Sequence, residues 1–168
     1  MLKALLPITI SRQDPESKIA RELLEELSAQ LAAITGASGK SSFDVTDVRS
    51  PNACFVVAWD AAGQPLGCGG FRPVEAGIAE IKRMYARAGS QGVGAAILAF
   101  LEVEAVRLGY HTIWLETRRV NERAVRFYEK HGYHQRPNYG KYVGNQEAVC
   151  FEKRLKPVCS QSSGVRRQ

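Results

Sequence analysis

Histidine is scarce in this chain, three residues in 168, and none lies at ligand spacing from a cysteine. The four cysteines, Cys54, Cys68, Cys150 and Cys159, are widely spaced and form no Cys-x-x-Cys pair. A zinc site of the usual spacing is therefore not encoded, and no Cys–His or Ser–His pair suggests a covalent nucleophile. Three of the cysteines sit in apolar, strand-like runs and are expected as small buried thiols in a reducing compartment. No apolar run approaches the roughly 20 residues that span a membrane. Residues 1–10 carry one early lysine, but Pro7 and the polar run from Ser11 leave no apolar stretch of the signal-peptide kind, so a cytoplasmic location is expected. Internal repeats and linkers are also missing. The length favours one domain over residues 1–156, with residues 157–168 as a flexible tail.

The formal charge is +6 and the isoelectric point about 9.3. That balance suits a nucleic acid, a membrane surface or a small anion equally well, so it selects no partner. Arg166 and Arg167 lie in the Ser/Gln-rich tail and serve to solvate it.

What is present is a succession of well-punctuated elements. An apolar strand over residues 5–10 leads to Asp14-Pro15, read as an N-cap and first helical residue. Ile19, Leu23, Leu24, Leu27, Leu31 and Ile34 recur at helical spacing up to Thr35, and Gly36 ends the helix. Residues 36–52 read as loop. Within them Gly39-Lys40-Ser41 has the ending of a phosphate-binding P-loop, but Ile34 stands where its first glycine belongs, and it follows a helix rather than a strand, so it is rejected. Strands over 53–59 and 66–74 flank a turn at 60–65. Glycines 67, 69 and 70 in the second strand mark either a bulge or a close approach of ligand or backbone.

The central stretch is 78–109: a strand, a glycine-bearing turn and a helix. Gly89, Ser90, Gln91, Gly92, Val93, Gly94 and Ala95 form a turn and helix start whose amides can converge on an anion, and a phosphate-bearing cofactor is expected there. With the strand at 111–117 this makes a βαβ unit, hence two parallel strands. Asn121 caps a short helix to about Lys130, Gly132 stops it, and 133–136 and 148–155 are the last strands.

Two groups stand out chemically. Glu80 in mid-strand is either paired with Lys82 or Arg83 or placed as a general base with its pKa raised by burial. Asn121, Ala124, Tyr128 and His131 share one helix face, where Tyr128 is either a core tyrosine or a proton donor.

The run Ala79-Glu80-Ile81-Lys82-Arg83-Met84-Tyr85, the Gln91-Gly92-Val93-Gly94 turn, Leu115-Glu116-Thr117 and Asn121-x-x-Ala124-x-x-Phe127-Tyr128-Glu129-Lys130-x-Gly132-Tyr133 together resemble the GNAT superfamily of acetyl-CoA-dependent N-acetyltransferases. The resemblance implies a mixed α/β (α+β) fold: a mostly antiparallel sheet of six to seven strands, a central βαβ unit, splayed parallel strands and flanking helices. It also implies that acetyl-CoA is the acyl donor, its pyrophosphate on the amides from Gly89 to Ala95. Its pantetheine arm would lie against the backbone of Met84, Tyr85 and Ala86 and be faced by Asn121, Ala124 and Tyr128. Glu80 would take a proton from the amine, and Tyr128 would protonate the departing thiolate. Two registers of the glycine pattern compete, Gln91-x-x-Gly94-x-Ala96 and Gly89-x-x-Gly92-x-Gly94; the second keeps the apolar phase of the helix.

The expected activity is acetyl transfer to a primary amine of a small molecule, without metal or acyl-enzyme. A protein terminus or lysine as acceptor is the second reading. A non-catalytic module that binds coenzyme A or nucleic acid through Arg118, Arg119, Arg123, Arg126 and Lys130 is the third, though a solvated face explains that cluster and no nucleic acid is expected. A homodimer is left open. Acceptor contacts are expected from residues 36–52, Tyr139, Tyr142 and the strand ending Phe71-Arg72, where Arg72 is either an acceptor-carboxylate site or an exposed strand end.

Overall fold

The computed structural model describes residues 7–40 and 43–157. Seven strands form one sheet: β1 Thr9–Arg12, β2 Cys54–Trp59, β3 Pro65–Glu75, β4 Ile78–Ala86, β5 Thr112–Arg118, β6 His134–Arg136 and β7 Ala148–Arg154, in the order β1-β2-β3-β4-β5-β7-β6. Every neighbouring pair is antiparallel except β4 and β5, which are parallel and joined through helix α2, Val93–Arg107. The expected meander and βαβ unit are both present. Helix α1 is Lys18–Thr35 and α3 is Glu122–Lys130.

Apolar side chains of α2 meet β2–β5 in one core that includes Val56, Phe71, Ile81, Ile97, Leu101, Ile113 and Phe151. Ala20 and Leu23 of α1 cover the other face against Phe55, Val57 and Cys68. No helix among the described residues is long and apolar enough to cross a membrane.

Local chemistry moved some boundaries. Helix α1 starts after Ser17 rather than at Pro15, because the Ser17 hydroxyl accepts from the Ala20 N–H at 3.2 Å. Asp14 is occupied otherwise: its carboxylate accepts from the Glu16 N–H and from Arg49, each at 2.9 Å. The first strand lies later than expected, and residues 5 and 6 fall outside the described residues. The loop after α1 contains a 3-10 helix, Val45–Val48, closed by a reciprocal capping box of Asp44 and Asp47. Tyr133 precedes β6 instead of starting it. The tail from residue 158, with Cys159, Arg166 and Arg167, lies outside the described residues.

The glycines of β3 serve a bulge and a close backbone approach together. Cys68 pairs with Tyr85 but Gly70 with Lys82, so Arg83 and Met84 of β4 stand opposite Gly69 alone. A Cβ on Gly69 would lie 2.5 Å from the Met84 sulfur, and one on Gly67 would lie 2.3 Å from the Tyr85 carbonyl oxygen. Arg83 takes φ 57, the only positive φ on a non-glycine residue among those described.

Candidate active site

The parallel strands β4 and β5 pair only at Ile78–Thr112, Ala79–Ile113 and Glu80–Trp114. Beyond that point they part, although β4 runs on to Ala86 and β5 to Arg118. Each stays held on its far side, β4 by β3 up to Gly67–Ala86 and β5 by β7 up to Arg118–Ala148. The bulge at Arg83 and Met84 adds local twist to β4 within the unpaired stretch. The gap exposes facing strand edges, whose amides and carbonyls require partners.

A cleft of about 180 Å³ opens at this gap. One wall is α3, with Asn121, Ala124 and Tyr128; the other is α1 and its following loop, with Leu27, Leu31, Gly39 and Phe43. Between them lie Lys82, Arg83 and Met84 of β4, Glu116 to Arg118 of β5, and Tyr142. Met84, Asn121, Ala124 and Tyr128, proposed from sequence to face a cofactor, are thus brought together. Tyr85 and Ala86 continue β4 past Met84, and the Tyr85 hydroxyl donates to Glu26 at 3.0 Å.

The turn after β4 is braced by Arg87, whose guanidinium donates to Glu26 at 2.7 and 3.0 Å and to the Pro65 carbonyl at 2.9 Å. Gly89 and Gly92 both take left-handed φ, 81 and 77. Gly92 caps α2 without any side-chain hydrogen bond to the helix start, and the first amide to find an intrahelical carbonyl is Ala96, on Gly92. The N–H groups of Val93, Gly94 and Ala95 are therefore left for an external acceptor at the positive end of a helix of 15 residues. Gly94 packs toward α3, where a Cβ would sit 3.4 Å from the Phe127 ring. Ser90 turns inward, its hydroxyl donating to the Arg87 carbonyl. Gly94, by contrast with Gly89 and Gly92, lies inside the helix and takes no positive φ.

Tyr128 is 7% exposed, and its ring packs edge-on against Phe127 and Tyr133 at centroid distances of 5.1 and 5.6 Å. Burial alone raises its phenol pKa, so the hydroxyl keeps its proton throughout the neutral range.

Glu80 is 1% exposed and does not line the cleft. Its carboxylate accepts from Arg72 Nε at 2.8 Å and from the Tyr139 hydroxyl, with Lys82 Nζ at 3.6 Å. The arginine partner comes from the facing position on β3 rather than from Arg83 of its own strand. Arg72 in turn pairs with Asp47. It is therefore neither an exposed strand end nor available to an acceptor.

Glu116 is the carboxylate that does line the cleft, and sequence reasoning did not single it out as a site residue. Its Oε1 is buried without a hydrogen-bond partner, and Arg118 Nε stands 3.9 Å away. Burial raises its pKa from 4.5, opposed in part by Arg118 and Lys82. The available signal was a carboxylate ending the apolar run Ile113-Trp114-Leu115. Lys82 donates to the Tyr142 hydroxyl at 2.8 Å, with burial lowering its pKa.

The cysteines offer no competing nucleophile among the described residues. Cys54, Cys68 and Cys150 are buried and unpaired, and burial pushes the Cys68 thiol up to about 12 and Cys54 to about 11. Within the basic cluster, Arg118 lines the cleft, Arg119 donates to the Gln146 carbonyl and Arg126 pairs with Glu122 at 3.5 Å.

A sheet opened between parallel strands, next to a helix start with free amides, offers a cleft suited to an extended, anion-bearing ligand. Residues 20–133 match the acetyltransferase (GNAT) family, and the chain belongs to that family. It is an acyltransferase. Over 151 residues it is 29% identical to an IAA acetyltransferase of Azospirillum brasilense, covering 88% of this chain and 98% of the relative. A protein of Klebsiella pneumoniae subsp. pneumoniae proposed to be an acyl-CoA N-acyltransferase superposes with a TM-score of 0.76 at 26% identity, covering 89% of this chain and 98% of the other. The PaiA N-acetyltransferase of Thermoplasma acidophilum, solved with coenzyme A, shares the fold with a TM-score of 0.70 at 18% identity, covering 89% and 100%.

Proposed function

We propose that the protein moves an acetyl group from acetyl-CoA directly to a primary amine of a small molecule, with both bound in the cleft between β4 and β5. The observation that carries this reading is the separation of the strands after Glu80–Trp114, beside the uncapped start of α2. The amides of Val93, Gly94 and Ala95, reached through the turn of Gly89, Ser90, Gln91 and Gly92, suit a pyrophosphate. The parted edge of β4 at Met84, Tyr85 and Ala86 supplies backbone partners for an amide-bearing arm, and Asn121, Ala124 and Tyr128 close over it. Acetyl-CoA supplies the activated acyl group. That a relative of the same fold was solved with coenzyme A supports the assignment.

An ammonium has no lone pair, so a base must take its proton before attack. The family resemblance implies that role for Glu80, but its oxygens are engaged by Arg72 and Tyr139 and it does not line the cleft. The geometry favours Glu116 as the acceptor of that proton: it faces the cleft, is raised in pKa by burial and has an oxygen without a hydrogen-bond donor. Glu80 is then a positioning residue that orders Lys82 and Tyr139. The backbone N–H near Met84 can polarise the thioester carbonyl. Tyr128, still protonated, delivers its proton to the departing sulfur.

Calorimetry with acetyl-CoA should show one site per chain, and a panel of small primary amines should release free thiol. Binding with no thiol from any amine would leave a coenzyme A-binding module instead. Tyr128→Phe keeps every ring contact and removes the hydroxyl alone. It is expected to lower kcat about 100-fold while the acetyl-CoA dissociation constant changes less than about threefold. A full rate in this variant, measured by thiol release, would remove Tyr128 from the proton-donor role.

A further inference from the structure

Two arginines of the neighbouring sheet and turn are matched to carboxylates: Arg72 to Glu80 and Asp47, and Arg87 to Glu26. Arg83 differs. It lines the cleft, and among the described residues no carboxylate hydrogen-bonds or ion-pairs with it, Glu25 acting on it only at longer range. Its Nε is buried without a hydrogen-bond partner, its Nη1 reaches the Ser38 carbonyl at a long 3.3 Å, and the guanidinium lies over the Phe43 ring at 5.2 Å. Burial lowers its pKa, opposed in part by Glu25.

The backbone at Arg83 is also held where arginine is disfavoured. Its φ of 57 costs a side-chain-bearing residue stability that glycine would not lose. From the bulge opposite Gly69 the side chain reaches Phe43 and the neighbourhood of Gly39 and Leu31, which line the cleft together with Leu27 on the α1 side, while Asn121, Ala124 and Tyr128 line it from α3. Since α3 is the wall assigned to the donor, the Arg83 wall is left for the acceptor. Among the described residues, Glu116 is the one carboxylate lining the cleft, against Lys82, Arg83 and Arg118.

Resting on the acetyl-transfer reading above, we propose that Arg83 binds a carboxylate carried by the acceptor. The acceptor is then an amino acid with an apolar side chain: its ammonium gives a proton to Glu116, its carboxylate is taken by the guanidinium and its side chain lies on Leu27, Leu31 and Phe43. A guanidinium–carboxylate pair that satisfies a buried N–H is worth roughly ten- to a hundredfold in affinity.

The test uses matched acceptors that differ by the carboxylate alone, L-phenylalanine against phenethylamine and L-leucine against 3-methylbutylamine, with thiol release as the readout. The parent should prefer the carboxylate-bearing member of each pair by at least tenfold in kcat/KM, chiefly through KM. Arg83→Gly suits the positive φ and so preserves the fold, which a melting curve checks; in it the preference should fall to about one. Arg83→Lys should retain part of it. Equal or better use of the plain amines by the parent overturns the proposal, as does a preference that survives in Arg83→Gly. A weaker acetyl-CoA affinity in Arg83→Gly, with the preference intact, would place Arg83 on the donor instead. If no amine is acetylated, the transfer reading itself fails. Arg83-dependent binding of L-phenylalanine to the coenzyme A-loaded protein, measured by calorimetry, would then still support the carboxylate site, and its absence would end it.

Discussion

Replacing Glu116 with glutamine is expected to lower kcat/KM for the best amine by about 10²- to 10⁴-fold, the range that a positioned general base contributes. The shape of the pH profile is the sharper readout. With burial raising its pKa above 4.5, the parent should lose activity as pH falls through that raised value, because the carboxylate that accepts the proton disappears. In Glu116→Gln that acid limb should be gone, leaving a low, flat rate. Stability should move the other way. A carboxyl whose pKa is higher folded than unfolded contributes stability that is complete below the unfolded value and lost as pH rises through the folded one. At pH 7 to 8 the parent therefore carries a disfavoured charge that glutamine lacks. Glu116→Gln should melt higher there by roughly 2–4 °C, the equivalent of about 1 kcal/mol in a chain of this size, and lose that advantage near pH 4. A variant as active as the parent across pH would exclude Glu116 as the base.

Glu80→Gln should fail differently, by loss of stability. It removes the charge that faces Arg72 Nε at 2.8 Å and Lys82 Nζ at 3.6 Å, inside a site where Glu80 is 1% exposed. Breaking a buried ion pair from one side typically costs about 3 kcal/mol, because the remaining charge stays buried. The corresponding fall in melting temperature is about 6–12 °C, reduced to the extent that Asp47 still compensates Arg72. Below its own melting range, the folded variant should keep the acid limb that Glu116→Gln loses. If the limb vanishes in Glu80→Gln and survives in Glu116→Gln, the base is Glu80, as the family resemblance implies. Thermal melts and pH–rate profiles of the two variants, taken together, separate the alternatives.

Much of the fold was legible because its signals are local. The three- and four-residue spacing from Ile19 to Ile34 requires a helix, and Gly36, at φ 78, ends it where expected. Asn121 caps α3 through its own side chain, accepting from the Ala124 N–H at 3.3 Å. The strand–turn–helix–strand order from Ile78 onward has one common solution, a right-handed crossover between parallel strands. The start of α1 was misplaced because Asp14 and Ser17 are both good caps. The choice between them depended on Arg49, 35 residues away, which engages the Asp14 carboxylate.

The candidate site was legible by segment, less so by side chain. Met84, Asn121, Ala124 and Tyr128 converge because two of the three spacings that relate them lie within one helix. The two carboxylates could not be ranked this way. Glu80 and Glu116 each follow apolar residues in a strand of the same parallel pair. Which one meets the cleft depends on where that pairing stops and on what fills the other side.

The sequence by itself determined the elements, their order, the parallel pair and the glycine turn that frees the amides of α2, since periodicity, caps and left-handed glycines act over a few residues. Only the tertiary structure decided how the charges are matched. Tyr139, 59 residues from Glu80, and Arg72 on the neighbouring strand take up that carboxylate, while the bulge opposite Gly69 leaves Arg83 facing the cleft and the parting of the strands leaves Glu116 there. Partners of this kind are set by sheet register and packing, which couple residues far apart in the chain, and no local pattern records them.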